Sequence, residues 1–260
     1  MIGVFDSGIG GLSVLQALRR ELPFQDVVYV ADNAHAPYGE REAAHVLARS
    51  RAVTQALLAH GITALVVACN TATAAAIAQL RLDHPGLPIV GVEPALKPAV
   101  ALSRTGHIGV MATRGTLTSD KFQALLAAQP PQVCITVQAC DGLADAIEHD
   151  TAGLRALCTA HLRAMGRFGD DKDDIDTLVL GCTHYPLIAG LIADIVGPAV
   201  ALVSNGDAVA RQTRKLLASP DGAGQRPGRV RWMTTGDAGL LQAAARRWLE
   251  VNAAIERIGC

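Results

Sequence analysis

Ala64-Leu-Val-Val-Ala-Cys69-Asn70-Thr71-Ala-Thr73 is an apolar run that ends in a cysteine followed by small amide and hydroxyl side chains, and Thr177-Leu-Val-Leu-Gly-Cys182-Thr183-His184-Tyr-Pro186 repeats the design later in the chain. Strands buried on both faces read as unbroken apolar runs, and open α/β sheets bind ligands beyond the carboxyl ends of their strands. Both thiols are therefore expected at strand tips. A free cysteine is by default a small buried hydrophobe. Two cysteines with matching flanks point instead to a working pair.

Working outward, Ile2-Gly-Val-Phe5 reads as a strand that delivers Asp6-Ser7-Gly8-Ile-Gly10-Gly11 to a helix carrying Leu12, Leu15, Leu18 and Leu22. Strand, glycine-rich turn and helix make an anion-binding geometry, with capping by Asp6 and Ser7 as the plainer alternative. No Gly-Lys-Ser/Thr follows, so the turn is not a P-loop. Asp26–Ala31 is the second strand; it runs into Asp32-Asn-Ala-His35-Ala-Pro37-Tyr38-Gly39, expected as a pocket wall, and a helix from about Glu40 to His60. The Cys69 strand is third, with a helix over 72–82, and Ile89–Val92 is fourth, leading to Glu93-Pro94. Strand and helix alternate throughout, the mark of a doubly wound parallel sheet.

The pattern then restarts. His107-Ile-Gly-Val-Met-Ala112-Thr113-Arg-Gly115-Thr116 echoes the first strand and turn; Ile108 follows Ile2 by 106 residues, and Cys182 follows Cys69 by 113. Such near-constant spacing predicts two halves of one design. A strand over 133–137, a helix over 150–168, the Cys182 strand and a strand over 201–203 fill the second half. Ser219–Gly228 is the most linker-like stretch. The fold expected is α/β, with two pseudo-symmetric doubly wound parallel-sheet domains and the active site in the cleft between them. Their bounds are 1–95 with 207–260, a discontinuous first domain, and 96–206.

Composition narrows the class. The 260 residues carry 23 Lys and Arg against 24 Asp and Glu, and no basic or aromatic-rich stripe marks a nucleic-acid partner. Mean hydropathy is +0.27, yet no apolar run approaches the roughly 18 residues that cross a bilayer. Met1-Ile-Gly-Val-Phe-Asp6 has no basic leader, so a cytoplasmic protein without membrane attachment is expected. Six scattered cysteines without CxxC spacing argue against zinc and against a disulfide framework. No cofactor is expected either: the four lysines, Lys97, Lys121, Lys172 and Lys215, are not at strand tips, where a Schiff-base lysine would be wanted.

Two thiols facing each other across a cleft suit a reaction with twofold character, in which a proton leaves one face of a carbon and another returns to the opposite face. An unperturbed thiol, with a pKa of about 8.5, is only slightly ionised at neutral pH, so its neighbours must help. His184, Asp6 and the donors Asn70, Thr71 and Thr183 are placed for that. Ser7, Asn70, Thr71, Thr113, Thr116 and Thr183 form a neutral donor array that suits a small acid.

Phe5-Asp-Ser-Gly-Ile-Gly-Gly-Leu12, Ala31-Asp-Asn-Ala-His-Ala-Pro-Tyr-Gly39, Val67-Ala-Cys-Asn-Thr-Ala-Thr73, Val92-Glu-Pro94, Met111-Ala-Thr-Arg-Gly-Thr116, Leu180-Gly-Cys-Thr-His-Tyr-Pro-Leu187 and Thr235-Gly-Asp237 together cover nearly the whole chain. With them the sequence resembles the glutamate racemases of the cofactor-independent aspartate/glutamate racemase superfamily. The resemblance implies interconversion of L- and D-glutamate to supply peptidoglycan synthesis, by a homodimer. It implies that Cys69 deprotonates D-glutamate and Cys182 L-glutamate, assisted by Asp6 and His184 respectively. Asp6, Ser7, Pro37, Tyr38, Gly39, Asn70, Thr71, Thr113, Thr116, Thr183 and His184 would line the substrate pocket. Glu148 matches an acidic residue that some members place there, although Cys140-Asp-Gly-Leu-Ala-Asp-Ala-Ile-Glu148 departs from the pattern, many members having proline after the cysteine and bulkier residues before the glutamate. Members activated by a cell-wall precursor carry an N-terminal extension not seen here, which points away from such activation. Aspartate is the alternative substrate within the class; a non-catalytic partner-binding protein on the same fold is the alternative outside it.

Overall fold

The computed structural model describes residues 1–217 and 226–260, so most of the Ser219–Gly228 linker lies outside the described residues. Ten strands are present among them: β1 (Ile2–Asp6), β2 (Val27–Ala31), β3 (Ala64–Val67), β4 (Ile89–Gly91), β5 (His107–Ala112), β6 (Cys134–Ala139), β7 (Thr177–Leu180), β8 (Ala201–Val203), β9 (Val230–Thr234) and β10 (Ile255–Arg257). They form two all-parallel sheets, ordered β10-β9-β2-β1-β3-β4 and β6-β5-β7-β8.

The second sheet repeats the order β2-β1-β3-β4 and also its register. Ile2 pairs with Ala64 and Ile108 with Thr177; Leu65 pairs with Ile89 and Leu178 with Leu202. The spacings of 106 and 113 residues read from the sequence therefore map one set of strand pairs onto the other. The match continues past the strands. Ala68 N donates to Phe5 O at 2.8 Å and Gly181 N to Met111 O at 2.7 Å, so each cysteine leaves its sheet from an equivalent position.

Strands β1, β2, β3 and β7 are buried along their whole length, as unbroken apolar runs between layers of helices require. The core is aliphatic; each fully buried Val, Leu or Ile contributes about 1.5–3 kcal/mol of transfer free energy. The three tyrosines are deep, and Tyr29 on β2 meets Trp232 on β9 with ring centroids 5.7 Å apart.

Local boundaries differ from the sequence expectations in ways that matter for the site. The helix after β3 runs Asn70–Asp83 rather than starting at 72, so Cys69 is its N-cap. A short 3₁₀ turn, Tyr38–Glu40, precedes the helix Ala43–Ala59, because Pro37 holds an extended conformation and turns the chain first. The helix expected over 150–168 is only Leu154–Met165; Asp150 has φ +50 and interrupts it. Strand β10 had no sequence signal, since Ile255-Glu-Arg257 is too short and polar, and it forms as the edge of a sheet that β9 already provides.

Candidate active site

Both cysteines line one cavity between the halves. Cys69 sits at the N-terminus of Asn70–Asp83, where its sulfur accepts from Ala72 N at 3.5 Å and lies 3.7 Å from Ser7 Oγ. Those donors favour a thiolate, but burial, with the nearby Asp6 carboxylate second, pushes the Cys69 thiol well above its ordinary range.

Cys182 has no long helix behind it; a 3₁₀ turn, Tyr185–Ile188, follows, and His184 supplies the assisting group instead. His184 Nδ1 lies 3.7 Å from Cys182 Sγ, and Nε2 lies 2.7 Å from Glu148 Oε2. Burial opposes the imidazolium, yet the hydrogen bonds and charges of Cys182 and Glu148 outweigh it and hold the His184 pKa well above 6.5. The imidazole thus stands between the Glu148 carboxylate and the Cys182 sulfur. Glu148, at the end of the helix Leu143–Glu148, is gripped from the other half: Ile9 N donates to Oε2 at 2.9 Å and Asn33 Nδ2 to Oε1 at 2.5 Å.

This explains the glycine-rich turn. A Cβ on Gly8 would overlap the Glu148 carboxylate, and one on Gly10 the His184 ring. The turn does receive anions, as its sequence suggests, but they are the protein's own: Asp6 Oδ2 accepts from Gly8 N at 3.3 Å and Gly11 N at 2.8 Å, and Glu148 from Ile9 N. Burial raises the Asp6 carboxyl above its ordinary value, against the opposing pull of His184 and of the Gly11 N–H.

Of the fourteen site residues expected from the sequence, twelve line the cavity: Ser7, Pro37, Tyr38, Gly39, Cys69, Asn70, Thr71, Thr113, Glu148, Cys182, Thr183 and His184. Two do not, and the pocket assignment is corrected for them. Asp6 is fully buried, turned into the glycine-rich turn. Thr116 lies behind Thr113, its hydroxyl 2.9 Å from that of Thr113, which itself caps the helix Arg114–Leu117 and lies 2.9 Å from the Thr71 hydroxyl. Tyr38 walls the cavity but spends its hydroxyl on Asp32, at 2.5 Å. Asp32 also takes both ends of the Arg49 guanidinium and the Thr235 hydroxyl, so the wall rests on a buried ion pair. Asp6 Oδ1 and Asn70 Oδ1 are buried acceptors with no donor among the described residues.

Ala36, Ala144 and Asp145 also line the cavity and were missed, as was Asn33 behind Glu148. Their signal was weak, because the helix carrying Ala144 and Asp145 lies in the stretch where the motif pattern departs. The empty volume of the cavity, counting the part open to solvent, is about 400 Å³. Among the described residues no three His, Cys, Asp or Glu side chains are placed to hold a metal ion, and no helix is long and apolar enough to cross a membrane.

The halves resemble each other in backbone and differ in chemistry. Asp32 N donates to Asp6 O and Cys140 N to Ala112 O, both at 2.9 Å, so Asp6 corresponds to Ala112, while His184 corresponds to Thr71. Each thiol therefore has a different helper.

The sequence profile of the Asp/Glu/hydantoin racemase family matches residues 2–213. The glutamate racemase of Ectopseudomonas mendocina is 46% identical over 243 residues, covering 93% of this chain and 92% of its own length. Among solved structures, a glutamate racemase from Bacillus anthracis superposes with a TM-score of 0.85 at 32% identity, covering 100% of this chain and 97% of that one. The Escherichia coli glutamate racemase, solved with L-glutamate and the activator UDP-MurNAc-ala, gives a TM-score of 0.83 at 33% identity, covering 95% and 94%.

Proposed function

Because the chain belongs to the Asp/Glu/hydantoin racemase family and is an amino-acid racemase of the glutamate racemase group, we propose that it interconverts L- and D-glutamate with Cys69 and Cys182 as its two acid–base groups. The observation that carries this reading is a single cavity bounded by both sulfurs, each leaving its sheet at an equivalent position. One sulfur, as thiolate, takes the proton from Cα: the C–H bond breaks, an S–H bond forms, and the electron pair stays on Cα and its carboxylate. The opposite thiol gives its proton to the other face and is left as thiolate. Exchange with solvent resets the pair.

The two environments support a division of labour. Cys69, whose thiol burial pushes up, and Cys182, backed by His184 and Glu148, match a turnover in which Cys182 is the base, the direction the resemblance gives to L-glutamate. The reverse turnover exchanges the roles. Asn70 Oδ1 suits the α-ammonium, and the hydroxyls of Ser7, Thr71, Thr113 and Thr183 with nearby backbone N–H groups suit the carboxylates.

The chain divides into two units, 1–95 with 207–260 and 96–206; the pairing of β9 with β2 supports the discontinuous first unit. The reading extends, on the sequence resemblance, to a cytoplasmic homodimer that supplies D-glutamate for peptidoglycan. Circular dichroism of D-glutamate incubated with the protein tests the core of it. Loss of signal is expected, and the product formed in heavy water should carry deuterium at Cα. Loss of signal with D-aspartate alone would move the substrate to aspartate, and product that keeps its original hydrogen would end the two-thiol scheme.

A further inference from the structure

Asn33 is not among the residues lining the cavity, yet its side chain is hydrogen-bonded at both ends. Thr234 Oγ1 accepts from Gly236 N at 3.1 Å, which leaves its hydroxyl hydrogen free to donate, and it lies 3.0 Å from Asn33 Oδ1. That donation settles which way the amide faces. Nδ2 is then turned to Glu148 Oε1 at 2.5 Å, while Glu148 Oε2 receives His184 Nε2. Gly236 permits the approach: a Cβ there would lie 2.9 Å from Asn33 Cβ and from Ala34 N. The hydrogen bonds run without a gap from the end of β9 in the first half, through Asn33 and Glu148, to His184 beside Cys182 in the second.

We infer that Asn33, oriented by Thr234, is a positioning residue for the Cys182 side of the reaction, holding the Glu148 carboxylate at the angle that keeps the His184 ring aimed at the sulfur. The inference rests on the two-thiol reading of the site. Asn33 holds one carboxylate oxygen while Ile9 N and His184 share the other, so without the amide the carboxylate can rotate about the shared oxygen and the imidazole loses its fixed partner. Acting only through Glu148, Asn33 should affect turnover and not substrate affinity.

The test compares steady-state racemisation of L- and D-glutamate by the wild type with Asn33→Leu, Thr234→Val, Thr234→Ser and the Asn33→Leu/Thr234→Val double variant. Expected are a loss of kcat of about tenfold to a hundredfold in Asn33→Leu with KM within about twofold, and a smaller loss in Thr234→Val. Thr234→Ser, which keeps the hydroxyl, should return to within about twofold of wild type, and the double variant should be no slower than Asn33→Leu. If Asn33→Leu fails to fold, the valine and serine variants at 234 decide by themselves. Unchanged kcat in Asn33→Leu, a change confined to KM, or equal losses in Thr234→Val and Thr234→Ser would overturn the inference. A wild type that racemises neither enantiomer would instead overturn the reading beneath it.

Discussion

Glu148 Oε2 lies 2.7 Å from His184 Nε2, with both side chains buried, and the other nitrogen of the same ring lies 3.7 Å from Cys182 Sγ. A carboxylate, an imidazole and a thiol in line give Cys182 a histidine neighbour that Cys69 lacks. The predictions below follow from that asymmetry and from the packing that enforces it.

Glu148→Gln removes the charge that helps hold the His184 proton. The His184 pKa should fall toward its ordinary value, so the fraction of imidazolium at a given pH drops and the alkaline limb of the kcat profile moves to lower pH. At neutral pH kcat should fall by about tenfold to a hundredfold. A pH–rate profile superimposable on that of the wild type would show that Glu148 does not act through His184.

The same shift has a consequence for stability. With its folded pKa raised, His184 contributes stability that is fully present below about pH 6.5, the unfolded value, and is lost as pH rises through the folded value. Urea denaturation from pH 6 upward should show this loss in the wild type and a weaker one in Glu148→Gln.

Gly10→Ala places a methyl group where the His184 ring now sits. Overpacking of this kind costs about 1–3 kcal/mol, but the larger effect should be on turnover, because the ring must leave its line with Cys182. Thermal unfolding alongside racemisation assays separates the two; a stable and fully active variant would contradict the packing described.

Cys69→Ser and Cys182→Ser should each lose racemase activity by on the order of 10²- to 10⁴-fold, with little change in Tm, since serine nearly matches the volume of the thiol but is a far weaker acid. Retention of activity by either would favour a non-catalytic protein on this fold.

Arg49→Leu leaves Asp32 buried beneath Tyr38 without its counter-charge; the Asp32 side chain is 0% exposed. Breaking a buried pair from one side costs about 3–5 kcal/mol. Chemical denaturation should register that loss, whereas the charge-removing pair Asp32→Asn with Arg49→Leu should recover part of it.

Much was written in the sequence by itself. Unbroken apolar runs announced buried parallel strands, and the spacings of 106 and 113 residues between the two copies proved to be the register relation between two sheets. These are local signals, set by side-chain burial along short segments, and they placed both cysteines at strand tips. The partners of those cysteines were legible only in part. Glu148 stands in the stretch that departs most from the motif pattern, Asn33 is one polar residue in a turn, and Gly8 and Gly10 read as ligand-binding glycines when they make room for side chains from the other half. What joins them is a set of contacts between residues 36 to 139 apart in the chain. No periodicity encodes such contacts, because hydrogen-bond geometry across the cleft is fixed only once two separately formed sheets are packed against each other. The sequence determined the two halves and their thiols; tertiary packing decided that the thiols would have unlike neighbours.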